Sequence, residues 1–213
     1  MGVDWNDAGW YRNLEHIASL RPRERYDGLL GLHEKVVAEY VIMLDRLTEA
    51  DAIESVRPGS GRTRAMVIGH ILGWEEWQLE VFRDCNIMER ISRQLRLEDY
   101  LDPETGGILN FNGIDEFNAY QYAKYATWGW ERIHGKARGT AMEFRRFFVE
   151  ARSDRFINIL EGTPMKNWKR LSRPIPSGWY LWMTSLAHEA VVHTQELTGQ
   201  RFGAEPNSGG WKG

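Results

Sequence analysis

Glu189 and His193 stand four residues apart in the run LAHEAVVHTQEL, residues 186 to 197. On a helix that spacing sets two side chains beside each other on one face. A carboxylate oxygen and an imidazole nitrogen so placed can both reach one divalent cation about 2 Å away, which is how helices hold catalytic zinc. Two ligands are not enough, so a third must come from another element. His70 is the candidate, because it lies among Val67, Ile71 and Trp74 on the apolar side of another helical stretch and can face the pair across a bundle. Three protein ligands leave a position open for water or substrate. His188 adjoins Glu189 but stands five residues from His193, about 140° around a helix, against about 40° for the Glu189 and His193 pair. It is read as a neighbour of the ligands, as is Glu196, which could accept the second ring N–H of a ligating histidine.

These residues need helices to carry them, and the apolar periodicity supplies them. Leu29, Leu32, Val36, Tyr40, Met43 and Leu47 recur every three or four residues and predict a first long helix within 23–50. The turn cluster RPGSG at 57–61 ends it, with Ser60 or Thr63 as the cap of a second helix that runs to about Cys85 and carries His70. Residues 86–113 lose periodicity and read as a long connection with one short helix near 89–96. A third helical stretch from Asp115 to Leu160 has its strongest stripe in Phe144, Phe147, Phe148, Phe156 and Leu160 and is interrupted near Gly129, Gly135 and Gly139. Pro164, Pro174 and Pro176 mark an extended crossing, after which Ser177 is the expected N-cap of the last helix, ending near Gly199. The expectation is an all-α bundle over 23–199, preceded by an N-terminal arm (1–22) with a short helix and followed by a tail (200–213).

Composition narrows the function classes. The chain has 213 residues with 27 basic and 30 acidic side chains, interspersed along it, and a formal charge of −3. That balance lacks the basic footprint of general nucleic-acid binding. No apolar run approaches the roughly 20 residues that span a bilayer, so no membrane partner is expected. The N-terminal residues lack the pattern of a secretory signal and Cys85 is the single cysteine, both of which fit a reducing cytoplasm. His33 and His134 are expected to be ordinary surface or capping residues, and Arg145, Arg146, Arg152, Arg155, Lys169, Arg170 and Arg173 a solvated face. The ten tryptophans are read as core and interhelical filler, with a ligand pocket as the alternative.

Three segments, in order, resemble the DinB-like superfamily of metalloenzymes. VIGHILGWEEW (67–77) resembles its first-histidine motif, of the type AH-x-x-GWE, with His70 as the histidine. HEAVVHTQEL (188–197) resembles the last-helix motif, most closely in the mycothiol-dependent maleylpyruvate isomerase-like branch, where Glu-x-x-x-His replaces the commoner His-x-x-x-His. GIDEFNA (113–119) resembles a segment of the isomerase-like and colibactin-resistance-like branches that opens the third helix and carries an Asn, here Asn118. The resemblance covers most of 23–199; the N-terminal arm and the long connection between the second and third helices are departures from its compact pattern.

The resemblance implies a DinB-like four-helix bundle with a metal between the helices. It also implies a low-molecular-weight thiol as cosubstrate, and hence a thiol-dependent S-transferase or isomerase acting on a small electrophilic molecule. His and carboxylate donors accept zinc, the first choice here, and also nickel, iron and manganese. Trp74, Asn118 and Tyr122 are the expected substrate-binding residues, since amide and aromatic groups orient small molecules well. A metal-free small-molecule binding or resistance protein, or a hydrolase, resembling the colibactin self-resistance branch is the alternative. The aromatic content is compatible with a homodimer.

Overall fold

The stripe that begins at Leu29 folds as α2 (Pro22–Arg46), with Pro22 at the first helical position, where its missing N–H leaves no partner wanting. The structure, a computed structural model, describes residues 7–57, 59, 61–83, 97–187 and 193–198. Ahead of α2 lies α1 (Asp7–Ser19), which packs on it. Trp10 and Leu14 of α1 are fully buried, so the stretch read as an arm contributes to the main apolar cluster. Thr48 caps a short α3 (Glu49–Ile53) through a reciprocal pair with Asp51. α4 (Arg64–Arg83) follows, carrying His70.

The third helical stretch is divided into α5 (Ile114–Ala126), α6 (Trp130–Glu150) and α7 (Asp154–Glu161). Gly135 and Gly139 do not interrupt it: both lie within α6, where an added Cβ would meet open space. The breaks fall at 127–129 and 151–153, and Ser153 starts α7 by accepting from the Phe156 N–H at 3.2 Å. α8 (Ser177–Ala187) and α9 (Thr194–Thr198) complete the helices among the described residues. Ser177 opens α8 as expected, but its hydroxyl donates to the Pro164 carbonyl, and Thr163 Oγ1 is the group that accepts the Gly178 N–H, at 2.8 Å. The short helix expected near 89–96 lies outside the described residues.

α2 packs on α6, α6 on α4, α4 on α8 and α8 on α2, which closes a four-helix bundle with α5 laid against the outside of α4. Two antiparallel two-residue ribbons trim it. β1 (Tyr100–Leu101) pairs Tyr100 with Leu109 and Leu101 with Ile108 of β2 (Ile108–Leu109). β3 (Met165–Lys166) pairs Met165 with Pro176 and Lys166 with Ile175 of β4 (Ile175–Pro176). The described part of the long connection is therefore ordered: Asp102 accepts from the Glu104 N–H and the Thr105 hydroxyl and meets Lys124 of α5 at 2.6 Å. No helix among the described residues is long and apolar enough to cross a membrane. The basic residues expected to form a solvated face lie at the surface, and two of them also cross-link elements there, with Arg152 meeting Asp27 at 2.8 Å and Arg145 meeting Glu34, both joining α6 or its end to α2.

The core is aromatic. Trp10, Trp77, Trp179 and Trp182 are buried, and Trp182 stacks on Phe148 at 3.8 Å between ring centres with 3° between the planes. His33 is part of this cluster, contrary to the expectation of a surface residue. It is fully buried on the inner side of α2, edge-on to Phe144 and Phe148, and accepts the Trp182 indole N–H on Nδ1 at 3.2 Å. Burial, reinforced by Arg145, pulls its pKa down to about 3. Protonating Nδ1 would also break the indole hydrogen bond. Because the unfolded chain takes up this proton near pH 6.5 and the folded chain does not until about pH 3, stability falls as the pH drops through that window. Going from pH 7 to pH 5, His33 is expected to remove about 2 kcal/mol of unfolding free energy. Urea titrations at the two pH values check this: the loss should shrink by that amount in His33→Met, and an unchanged loss would mean that His33 is protonated in the folded chain.

Candidate metal centre

His70 occupies the middle of α4, where the two apolar clusters of the bundle meet. Ile71 and Leu72 belong to one cluster and Trp77 to the other. Opposite it stands His193, immediately before α9. Both imidazoles are 5% exposed, and their ring centres are 5.1 Å apart with planes at 82°. The Nδ1 of each ring is held by an oxygen that can only accept. His70 Nδ1 meets Gln121 Oε1 at 3.1 Å, and His193 Nδ1 meets Glu196 Oε2 at 2.9 Å. Each Nδ1 therefore carries the hydrogen, and the lone pair of each neutral ring resides on Nε2.

Burial keeps both rings neutral at pH 7. It pulls His70 down to about 4, against the Gln121 hydrogen bond, and His193 down to about 3, with His70 and Arg62 adding to the effect. Arg62 meets Glu196 at 3.3 Å, so the carboxylate behind His193 is itself held by a cation. Tyr122 lies between the two halves of this arrangement: it stacks on His70 at 5.4 Å and 18°, and the Arg62 guanidinium lies 5.4 Å from its ring centre.

The pair of imidazoles fits a shared cation. With metal–nitrogen distances of about 2.1 Å and a tetrahedral angle, two imidazoles on one zinc ion have ring centres roughly 5 Å apart; the observed separation is 5.1 Å. Outer N–H groups held by a carboxylate and an amide oxygen are also the usual support of ligating histidines. Among the described residues no three His, Cys, Asp or Glu side chains assemble into a metal-binding group. Glu189, the expected third ligand, and His188, expected beside it, both lie outside the described residues.

A cavity of about 270 Å³ opens beside His70. Trp74, Trp77, Asn118, Leu181 and Thr184 are among the residues that line it. Trp74 donates its indole N–H to Asn118 Oδ1 at 3.0 Å, so two of the three expected substrate-binding residues meet each other at the cavity wall. Tyr122 takes a different place, against the His70 ring.

Gln121 and Arg62 escaped the sequence reading. Gln121 had a signal, since it follows Asn118 by one helical turn on α5 and therefore shares its face. Arg62 had none beyond its position in the turn just ahead of α4. His134, by contrast, lies as expected at the surface, 3.2 Å from Asp45.

The all-α bundle with paired histidines is the class of protein that fold and site define. No protein-family model matches the chain, and neither does any curated protein. Among solved structures, the mycothiol-dependent maleylpyruvate isomerase is similar at 19% identity with a TM-score of 0.47, and a histidine-to-alanine mutant of that enzyme at 17% and 0.49. Each alignment covers 81% of this chain and 60% of the other, so the chain accounts for less than two thirds of the isomerase's length. Likeness at this level identifies no residue of this chain as functional.

Proposed function

We propose that the chain is an enzyme that holds one divalent metal ion on His70, Glu189 and His193 and carries out a thiol-dependent transfer or isomerisation on a small electrophilic molecule. The observation that supports it is the approach of two buried, neutral imidazoles from distant segments, each with its Nδ1 anchored. Bound there, the cation supplies Lewis acidity that makes a thiol or a water molecule acidic enough to ionise at neutral pH. The thiol is favoured over water by the resemblance of the last-helix motif, HEAVVHTQEL, to the mycothiol-dependent branch.

The chain's own residues do the rest. Gln121 and Glu196 hold the rings, and Arg62 holds Glu196. The cavity next to His70 receives the substrate, its indole and leucine walls excluding water from the reacting end. Asn118 spends its oxygen on Trp74, so what it offers a substrate is its NH₂ group.

The test is made on purified protein freed of metal, resupplied with zinc, nickel or iron, and assayed for consumption of a small thiol with a panel of electrophiles. Turnover is expected only with metal present. Thr184→Trp, which fills the cavity from α8 and leaves both histidines in place, is expected to raise KM at least about tenfold while metal content stays the same. Protein that holds less than about a tenth of an equivalent and takes up none of the three metals would favour the metal-free binding protein instead. Metal-dependent turnover that needs no thiol would favour the hydrolase.

A further inference from the structure

α4 and α5 approach each other more closely than ordinary side chains allow, and the reason lies in two glycines one turn apart. A Cβ on Gly69 would come within 2.5 Å of Tyr125, and one on Gly73 within 2.5 Å of the Gln121 amide nitrogen and 2.6 Å of its Cδ. The helices run antiparallel, with Gly69 facing Tyr125 and Gly73 facing Gln121. The space in which the Gln121 amide lies is thus the space that a side chain at position 73 would fill. Gln121 is 1% exposed, its Oε1 meets His70 Nδ1 at 3.1 Å, and its Nε2 has no hydrogen-bond partner among the described residues. A buried amide with one end unsatisfied is costly. The half that is satisfied is the half that faces the histidine.

From this geometry we infer that Gln121 is the positioning residue of His70: seated in the notch at Gly73, it fixes the imidazole as the Nδ1–H tautomer and turns Nε2 toward His193. The metal part of the inference rests on the function proposed above, whereas the tautomer part stands without it. An acceptor that selects one ring nitrogen decides which nitrogen can bind a cation.

Two measurements test it, using Gln121→Leu, which keeps the bulk and removes the acceptor, and Gln121→Glu, which keeps an acceptor. The first is ¹⁵N NMR of the histidine rings in metal-free protein at pH 7.5. The His70 ring should be protonated at Nδ1 in wild type and in Gln121→Glu, and should shift toward Nε2–H in Gln121→Leu. The second is cobalt(II) titration followed by absorbance, in which Gln121→Leu should bind about 10 to 100 times more weakly and Gln121→Glu should recover most of the loss. Gly73→Ala, which pushes the amide aside without changing it, should shift the tautomer in the same direction as Gln121→Leu. A wild-type ring protonated at Nε2, or a Gln121→Leu protein with unaltered tautomer and unaltered cobalt affinity, overturns the assignment. Should wild type bind no cobalt, the proposed function fails, and the NMR result alone still decides the role of Gln121.

Discussion

Replacing His70 or His193 with alanine is expected to weaken zinc binding by more than about 100-fold, the upper end of what losing an outer hydrogen-bond partner of a ligand costs. The two residues are 5% exposed, and their rings, one on α4 and the other just before α9, have centres 5.1 Å apart. An ion shared between them loses a direct donor in either variant, and the remaining imidazole has no second ring to share it with. Glu189→Ala is expected to behave like the two histidine variants. His134→Ala is the control: that histidine lies on the outside of α6, against Asp45, and its loss should leave affinity unchanged. Competition titrations with a chromophoric chelator measure wild type and all four variants. Equal affinity in wild type, His70→Ala and His193→Ala would remove the metal from the proposed function.

The second large effect concerns stability. Trp182→Ala is expected to cost about 3 to 5 kcal/mol, the range for deleting a large buried aromatic side chain. For a chain of this size that corresponds to a fall in Tm on the order of 10 °C. The ring has no exposed surface; it stacks on Phe148, meets Tyr26 edge-on at 5.1 Å and lies nearly parallel to Trp179 at 6.4 Å. Its N–H satisfies His33, so alanine also strands a buried acceptor on α2. Trp182→Phe keeps much of the stacking and forfeits the hydrogen bond, and should lose less than half as much. Calorimetry separates the variants, and a loss below about 1 kcal/mol for alanine would contradict the packing role.

Whether a feature could be read from the sequence follows its range. The stripe from Leu29 to Met43 and the stripe through Phe144 and Phe148 were legible because a helix buried on one side repeats its apolar residues with its own period. The division of the third stretch was misplaced because Gly135 and Gly139 weaken a helix without ending it, and α6, packed on both α2 and α4, carries them. Ser153 was a readable cap that the Phe-rich stripe concealed. The partner of the Gly178 N–H was not readable, since Thr163 reaches it from across the β3 and β4 ribbon.

The site divides along the same line. His70 announced itself as a polar residue on an apolar face, and His193 by its spacing from an acid. His33 shows the limit of that signal: it too lies on an apolar face, yet its partner is an indole N–H and its surroundings are phenyl rings. Type and spacing assign His33 to the surface; that it is buried, and what it is buried against, depends on the other helices. Gln121 was hidden for this reason, because an amide acquires its role only when Gly73 lets it close on His70.

His70 stands on the seam between two apolar clusters, one built around the tryptophans and the other around Val67, Ile68 and Tyr125. An occupant that grips the seam must be released before either half can open independently, so binding should merge two cooperative units into one. In amide hydrogen exchange, protection would then rise together in α1, which belongs to the first cluster, and in the end of α2 around Met43 and Leu44, which belongs to the second.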